Sequence, residues 1–207
     1  MAWTATESFD SYTNGATLAA ASGGSGWNGN WTIGVGTWIA TNAQSVSASN
    51  SGSQTDTSSS AYINRTITSI TSGSMVHYIR ASATGLSEYI NLSTAGAAQG
   101  AASRVLGGFE NLNIIFYDNT TQRTVLATYA ANTWYKVTIV FDGVANTYTV
   151  QIDSGTVFGP YVYSFGGTGA ITNVQFYRGG GLAQYFFDSI APVATATSAK
   201  FALLGVG

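Results

Sequence analysis

Nine carboxylates, one histidine and five tryptophans carry most of the chemistry this 207-residue chain could perform. The carboxylates are Glu7, Glu88 and Glu110 with Asp10, Asp56, Asp118, Asp142, Asp153 and Asp188. Hydrolysis of a glycosidic bond needs two carboxyl groups roughly 5–9 Å apart. Strand neighbours at i and i+2 would supply that spacing, because alternate residues share a face. No Asp or Glu pair stands at i, i+2, so the usual glycosidase arrangement is not expected. A Ser/His/Asp system would have to use His77, which sits in SMVHYIRAS between Val76 and Tyr78, and no nucleophile-elbow sequence accompanies it. With one histidine and no cysteine, a zinc site is not expected either.

Calcium needs only oxygen ligands and stays open as a cofactor. Glu7, Asp10 and Asp188 would converge if the opening strand pairs with a late one; Asp118 with Asn119, and Asp142 with Asn146, offer loop ligands. Loop-tip Asp and Asn are more commonly turn formers. The aromatic signal is concentrated near the N-terminus. Tyr12, Trp27, Trp31 and Trp38 lie in a Gly/Asn-rich stretch with Asn28 and Asn30. Exposed rings stack on sugar C–H groups and neighbouring amides bond sugar hydroxyls, so these six residues form a candidate glycan site. The competing reading, which the Gly-Trp pattern favours, packs the tryptophans under a sheet edge.

The elements that must position these groups are all strands. No i, i+3, i+4, i+7 apolar stripe persists over three turns, whereas period-2 segments recur between Gly/Asn/Ser turns. Strands are expected at 31–40, 43–49, 61–67, 74–82, 87–93, 103–108, 112–118, 123–129, 134–142, 146–153, 170–178 and 183–190, after an opening strand around Phe9 and Asp10. In the hairpin 134–153, Tyr135, Val137, Ile139 and Phe141 share a face with Tyr148, Val150 and Ile152, across an Asp-Gly-Val-Ala-Asn turn. In 112–118, Leu112, Ile114 and Phe116 occupy one face and Ile115 and Tyr117 the other, which predicts a strand covered on both sides. SASNSGSQTDTSSS (47–60) reads as a long exposed loop.

Composition narrows the partners. Charged residues are 8% of the chain against about 25% in ordinary domains, so Ser, Thr, Asn, Gln and Gly must cover the surface. Seven scattered basic residues and a net charge of −2 argue against a nucleic-acid partner. No apolar run reaches the roughly 20 residues of a membrane helix. The start MAWTATESFD shows no secretory signal. Residues 1–191 are expected to form one domain. Residues 192–207 would then be a tail whose Phe201, Leu203, Leu204 and Val206 are candidates for assembly contacts.

The opening FDSYTNG…GGSGWNGNW, the hairpin NTWYKVTIVFDGVANTYTVQID and the closing FFDSI together resemble the concanavalin A-like lectin/glucanase superfamily, in its laminin-G-like branch. The resemblance implies an all-β, two-sheet antiparallel jelly-roll sandwich of about 12–14 strands. It covers most of residues 7–191 through fold-building positions. The fold hosts lectins, glycan-binding modules, glycosidases, adhesins and phage structural proteins, so it does not decide function. Combined with the weakly charged coat and the signal-less start, the reading is a non-catalytic structural or adhesive protein. Its expected place is a bacteriophage virion surface, as a head decoration, spike or fibre. Other capsid proteins, further copies of itself and cell-surface glycans are its expected partners. The alternative is a carbohydrate-binding module or lectin domain of an extracellular protein.

Overall fold

The computed structural model describes residues 2–46, 49–55, 60–96, 100–180 and 183–193, with backbone alone at 86 and 122–125. Two antiparallel sheets of seven strands face each other. The first runs β1 (Thr32–Val35), β4 (Ala61–Ile70), β13 (Ile171–Gly180), β6 (Leu86–Ser93), β7 (Ser103–Asn111), β8 (Asn113–Asp118), β9 (Thr121–Thr128). The second runs β12 (Val157–Val162), β11 (Thr147–Ile152), β10 (Tyr135–Asp142), β5 (Ser72–Ala81), β14 (Tyr185–Pro192), β3 (Ser51–Gln54), β2 (Trp38–Thr41). The strands are those of the period-2 pattern, and their arrangement is the two-sheet jelly-roll sandwich that the resemblance implies.

Alternation decides what lies between the sheets. Ile63 and Ile67 of β4, Val174 and Phe176 of β13, and Ile90 and Leu92 of β6 meet Met75 and Ile79 of β5, Val137 and Ile139 of β10, and Phe187 of β14 in one core. The rings of Phe176 and Phe187 stack 3.9 Å apart at 20°, joining the two layers. Each such side chain removed from water contributes about 1.5–3 kcal/mol before entropy is counted. The hairpin β10–β11 has the expected register, Phe141 opposite Tyr148 and Ile139 opposite Val150, and its turn is held by Asp142, which accepts from the Val144 and Ala145 amides.

The opening segment meets the late strand β14. Glu7 and Ile190 exchange backbone hydrogen bonds of 2.8 and 2.9 Å. The opening segment makes two isolated bridges, Thr6 with Ser25 and Glu7 with Ile190, followed by a turn rather than a full strand, and Phe9 itself has φ 63°. Three local expectations change. Ser51–Gln54 is a buried strand between β14 and β2, not part of an exposed loop, because Gly52 lets the Phe187 ring lie against the backbone and Gln54 turns inward. A Cβ at Gly52 would fall 2.5 Å from that ring. The described residues of 43–49 form no strand; Val46 instead donates its amide to Asp188. Leu112 stands 58% exposed at the β7–β8 turn, whereas Ile114, Ile115 and Phe116 are buried on both faces as expected.

Candidate functional site

Two places bring polar and aromatic groups together, and only one of them is the stretch that the sequence singles out. The first is the N-terminal loop. Trp31 and Trp38 are 1% and 0% exposed, which removes both from the candidate sugar-stacking set: they are core residues. Trp31 packs on Phe9, Phe176 and Phe187, and Trp38 packs on Phe187. Trp27 is half-buried. The Arg65 guanidinium lies 4.8 Å from its ring centre, Trp31 leans on it at 5.4 Å, and its Nε1 donates to the Thr6 carbonyl. Tyr12 donates to Glu7 and accepts from the Gly23 amide, and burial followed by the Glu7 charge pushes its phenol up to about 12. Asn28 and Asn30 are exposed, Asn28 being tied to Thr66 through its backbone.

Glu7 is the centre of this arrangement. Its carboxylate accepts from Phe9 N (3.1 Å), Tyr12 OH (2.9 Å), Trp31 Nε1 (3.3 Å) and Arg65 Nη1 (2.9 Å). Arg65 in turn donates to the Gly29 and Gly23 carbonyls, clamping the loop to β4. A carboxylate so fully supplied with donors is committed. Asp10 accepts from the Ser49 and Asn50 amides, and Asp188 from Val46 and Ser189. Glu7, Asp10 and Asp188 therefore each serve backbone or arginine donors instead of converging. Among the described residues, no three Asp, Glu or His groups stand together as a metal site. Asp118 accepts from the Val162 amide at the end of β12, and Asp142 from the Val144 amide of its own turn. The tail residues Phe201, Leu203, Leu204 and Val206 lie outside the described residues.

The second place is the outward face of the first sheet. Because Val174 and Phe176 point into the core, Asn173, Gln175 and Tyr177 point away from it. Register then builds two ranks across the strands. Tyr62 of β4 stands opposite Tyr177 of β13, which stands opposite Tyr89 of β6. One step along, Asn64 stands opposite Gln175, and Gln175 opposite Asn91. The result is a rank of three phenols beside a rank of three amides.

Each ring is held differently. Tyr89 and Tyr177 stack on each other at 6.1 Å and 18°, and the Tyr89 hydroxyl donates to Glu110 at 2.6 Å. Tyr62 lies over Gly34 of β1, where a Cβ would fall 1.9–2.3 Å from ring atoms Cε2, Cζ and Oη. Glycine is required there because the ring occupies the side-chain position. Beyond Tyr89, the buried side chains of Leu106 and Ile115 continue the surface to Tyr117, which stacks on Phe165 at 5.6 Å. Burial, then Glu110, raises the Tyr89 and Tyr117 phenols, so both remain proton donors. In the amide rank, Asn91 Nδ2 donates to Gln175 Oε1 at 3.1 Å, while Asn91 Oδ1, Gln175 Nε2 and Asn173 Oδ1 have no protein partner. Buried polar atoms of this kind are normally satisfied. Asn91 and Gln175 are themselves 0% exposed, so the groups of these ranks that reach solvent are the partly exposed Tyr62, Asn64 and Tyr177.

The sequence reading passed over this face, although a signal for it exists. Tyr-Ile-Asn occurs at 62–64 and again at 89–91, and the reversed Gln-Phe-Tyr at 175–177 is the strand between them. Only the strand order makes the three coincide.

The interior holds a further polar group. Glu88 and Arg178 face each other at 4.0 Å, both fully buried, and Arg178 also bonds Gln54. Burial raises Glu88 well above the carboxylate range, with Arg178 opposing. His77, buried beside Phe176, is driven down to about 3 by desolvation. A histidine held neutral within a core is not a general base.

The sequence matches no protein-family model and no curated relative. Solved structures are informative. A sialidase superposes with TM-score 0.61 at 14% identity over 80% of this chain, and the match spans 17% of the sialidase. The cellulose induced protein Cip1 superposes with TM-score 0.55 at 14% identity, covering 92% of this chain and 97% of that one. Trypanosoma rangeli sialidase gives 0.52 at 10% identity over 86% of this chain and 30% of its own. The fold is a concanavalin A-like jelly roll. At these identities the likeness establishes the architecture, and the chain corresponds to less than a third of either sialidase. No helix among the described residues is long and apolar enough to cross a membrane.

Proposed function

We propose that this chain is a non-catalytic, lectin-like glycan-binding module that uses the tyrosine and amide ranks of its first sheet. The observation that carries this reading is that Tyr62, Tyr177 and Asn64 stand together, partly exposed, on the outward face of a concanavalin A-like sheet. Tyr62 is the stacking platform: it is partly exposed, and Gly34 lets its ring lie against the β1 backbone. Tyr177, Asn64 and the Glu110-bound Tyr89 supply flanking hydrogen bonds. The carbohydrate-binding alternative is thus better supported than the virion-surface role, for which neither the fold comparisons nor the face offers a specific observation. An extracellular setting follows from the glycan reading and belongs to it.

Catalysis has little to work with on this face. Glu110 is engaged by Tyr89, and Glu88 lies on the opposite side of the sheet. The test is a glycan array read with wild-type protein and with Tyr62→Ala. Wild-type signal on a defined set of oligosaccharides, at least tenfold weaker in Tyr62→Ala at unchanged thermal stability, supports the reading. A wild-type protein that binds no glycan at high density overturns it.

A further inference from the structure

We infer that the ligand of this face is the interior of a linear polysaccharide laid across the strands, met by a pair of rings at each end of one strip; this rests on the glycan-binding reading above. Register carries the argument. Tyr62 stands opposite Tyr177, Tyr177 opposite Tyr89, Tyr89 opposite Gly108 and Gly108 opposite Ile115, so one line crosses β4, β13, β6, β7 and β8. Four strand-to-strand steps of about 4.8 Å make that line about 19 Å long. A site for a single terminal sugar would gather its groups around a cavity. Here they follow a line, and neither the groove beside Trp3 and Val140 nor the pocket beside Glu7 and Ser189 contains any of them.

The ends of the strip differ from its middle. Tyr62 and Tyr177 are partly exposed at one end. In the middle Tyr89 and Ile115 are buried and Gly108 has no side chain, so this part is floor. At the far end Tyr117, two residues beyond Ile115 on β8, stacks on Phe165 at 27° between ring planes, and both rings are partly exposed. Tyr117, Phe165 and Tyr177 all pack on the cluster of Tyr89, Leu106 and Ile115, so the strip is continuous. Phe165 is held there against its backbone preference, with φ 55° in the left-handed region where a bulky residue is an outlier. Its amide donates to the Asn119 carbonyl, and the neighbouring Ser164 hydroxyl accepts from the Leu106 amide, which pins the turn over β7. Backbone strain of this kind concentrates at sites that meet a ligand. An extended sugar chain advances per residue by about the spacing of neighbouring strands, so successive sugar rings keep step with successive strands and reach both aromatic ends.

The experiment titrates wild-type protein, Tyr117→Ala and Phe165→Gly with linear β-1,4-glucan, β-1,4-mannan, β-1,4-xylan and β-1,3-glucan oligomers, from the dimer to the octamer. Glycine adopts the positive φ of position 165 without strain, so Phe165→Gly removes the ring and keeps the turn. Affinity for at least one series should climb by about tenfold or more from the dimer to the pentamer. It should then level off, because about five residues span the strip. In both variants the loss should grow with chain length, from the dimer, which reaches one end only, to about fivefold or more at the hexamer. Affinity independent of length, lost in Tyr62→Ala and unchanged in Tyr117→Ala and Phe165→Gly, overturns the inference and leaves glycan binding intact. Binding confined to branched glycans of the array, with no linear oligomer bound, does the same. Wild-type protein that binds neither the array nor any oligomer removes the functional reading and the inference together.

Discussion

The N-terminal loop and the outward tyrosine face contain the same ingredients, aromatic rings with amides and a glutamate, yet they have opposite polar accounts. Under the loop, Glu7 has four donors and Arg65 spends its hydrogens on that carboxylate and two carbonyls. On the sheet face, Tyr62, Asn64 and Tyr177 keep part of their surface open to solvent. The comparison teaches that clustering of aromatic residues in sequence is a poor guide to binding. What separates a fastening from a site is whether its groups are spent on one another or still reach solvent.

Breaking the fastening should have the largest effect. Trp31→Ala removes a ring packed on Phe9, Phe176 and Phe187 and should cost about 3–5 kcal/mol. Chemical denaturation would show this as a lower midpoint with little change in slope. Arg65→Ala leaves Glu7 buried without its cation and should cost a similar or slightly smaller amount, about 3 kcal/mol. If either variant unfolds at the wild-type midpoint, the loop is not fastened as described.

A smaller effect concerns the interior beneath both regions. The folded-state pKa of His77 lies near 3, below its unfolded value of about 6.5, so the unfolded chain binds the extra proton between those limits. Stability should therefore fall as pH drops below about 6.5, by about 1.4 kcal/mol per unit from this residue alone. Glu88, shifted upward by burial, opposes it above about 4.5, since it stabilises the fold at low pH and ceases to as pH rises through its folded value. Subtracting the pH profile of His77→Leu isolates the histidine contribution; a flat difference between pH 6.5 and 5 would contradict its burial.

The smallest stability effects should come from the face, where binding rather than folding is at stake. Gly34→Ala forces the Tyr62 ring off its seat, and β1 is an edge strand of its sheet. The expected cost is about 1 kcal/mol or less in stability, with at least a fivefold loss of glycan affinity. Equal losses in both quantities would mean that Tyr62 packs rather than presents.

Much of this architecture is legible in the sequence. The β10–β11 hairpin has a clean period of two and Asp, Gly and Asn at its turn, so faces and register follow directly. The Glu7–Ile190 bridge is the pairing of the opening segment with a late strand that the sequence allows. Ser51–Gln54 was hidden because its four residues look like the polar repeats around them; burial comes from Phe187 on β14, far along the chain. The tyrosine face was hidden for a related reason. Tyr62, Tyr89 and Tyr177 become one rank only after β13 is inserted between β4 and β6, a long-range pairing that local patterns do not encode. The tryptophans, by contrast, advertised a site and built a core.

The most direct test is calorimetric titration of one neutral oligosaccharide, chosen from the array, into wild-type protein, Trp27→Ala and Tyr62→Ala with Asn64→Ala, all well below their melting temperatures. The account predicts that Trp27→Ala keeps the wild-type dissociation constant within about twofold, whereas the double variant weakens it by more than tenfold, about 1.4 kcal/mol or more. Binding abolished by Trp27→Ala and retained by the double variant would contradict it and return the site to the loop.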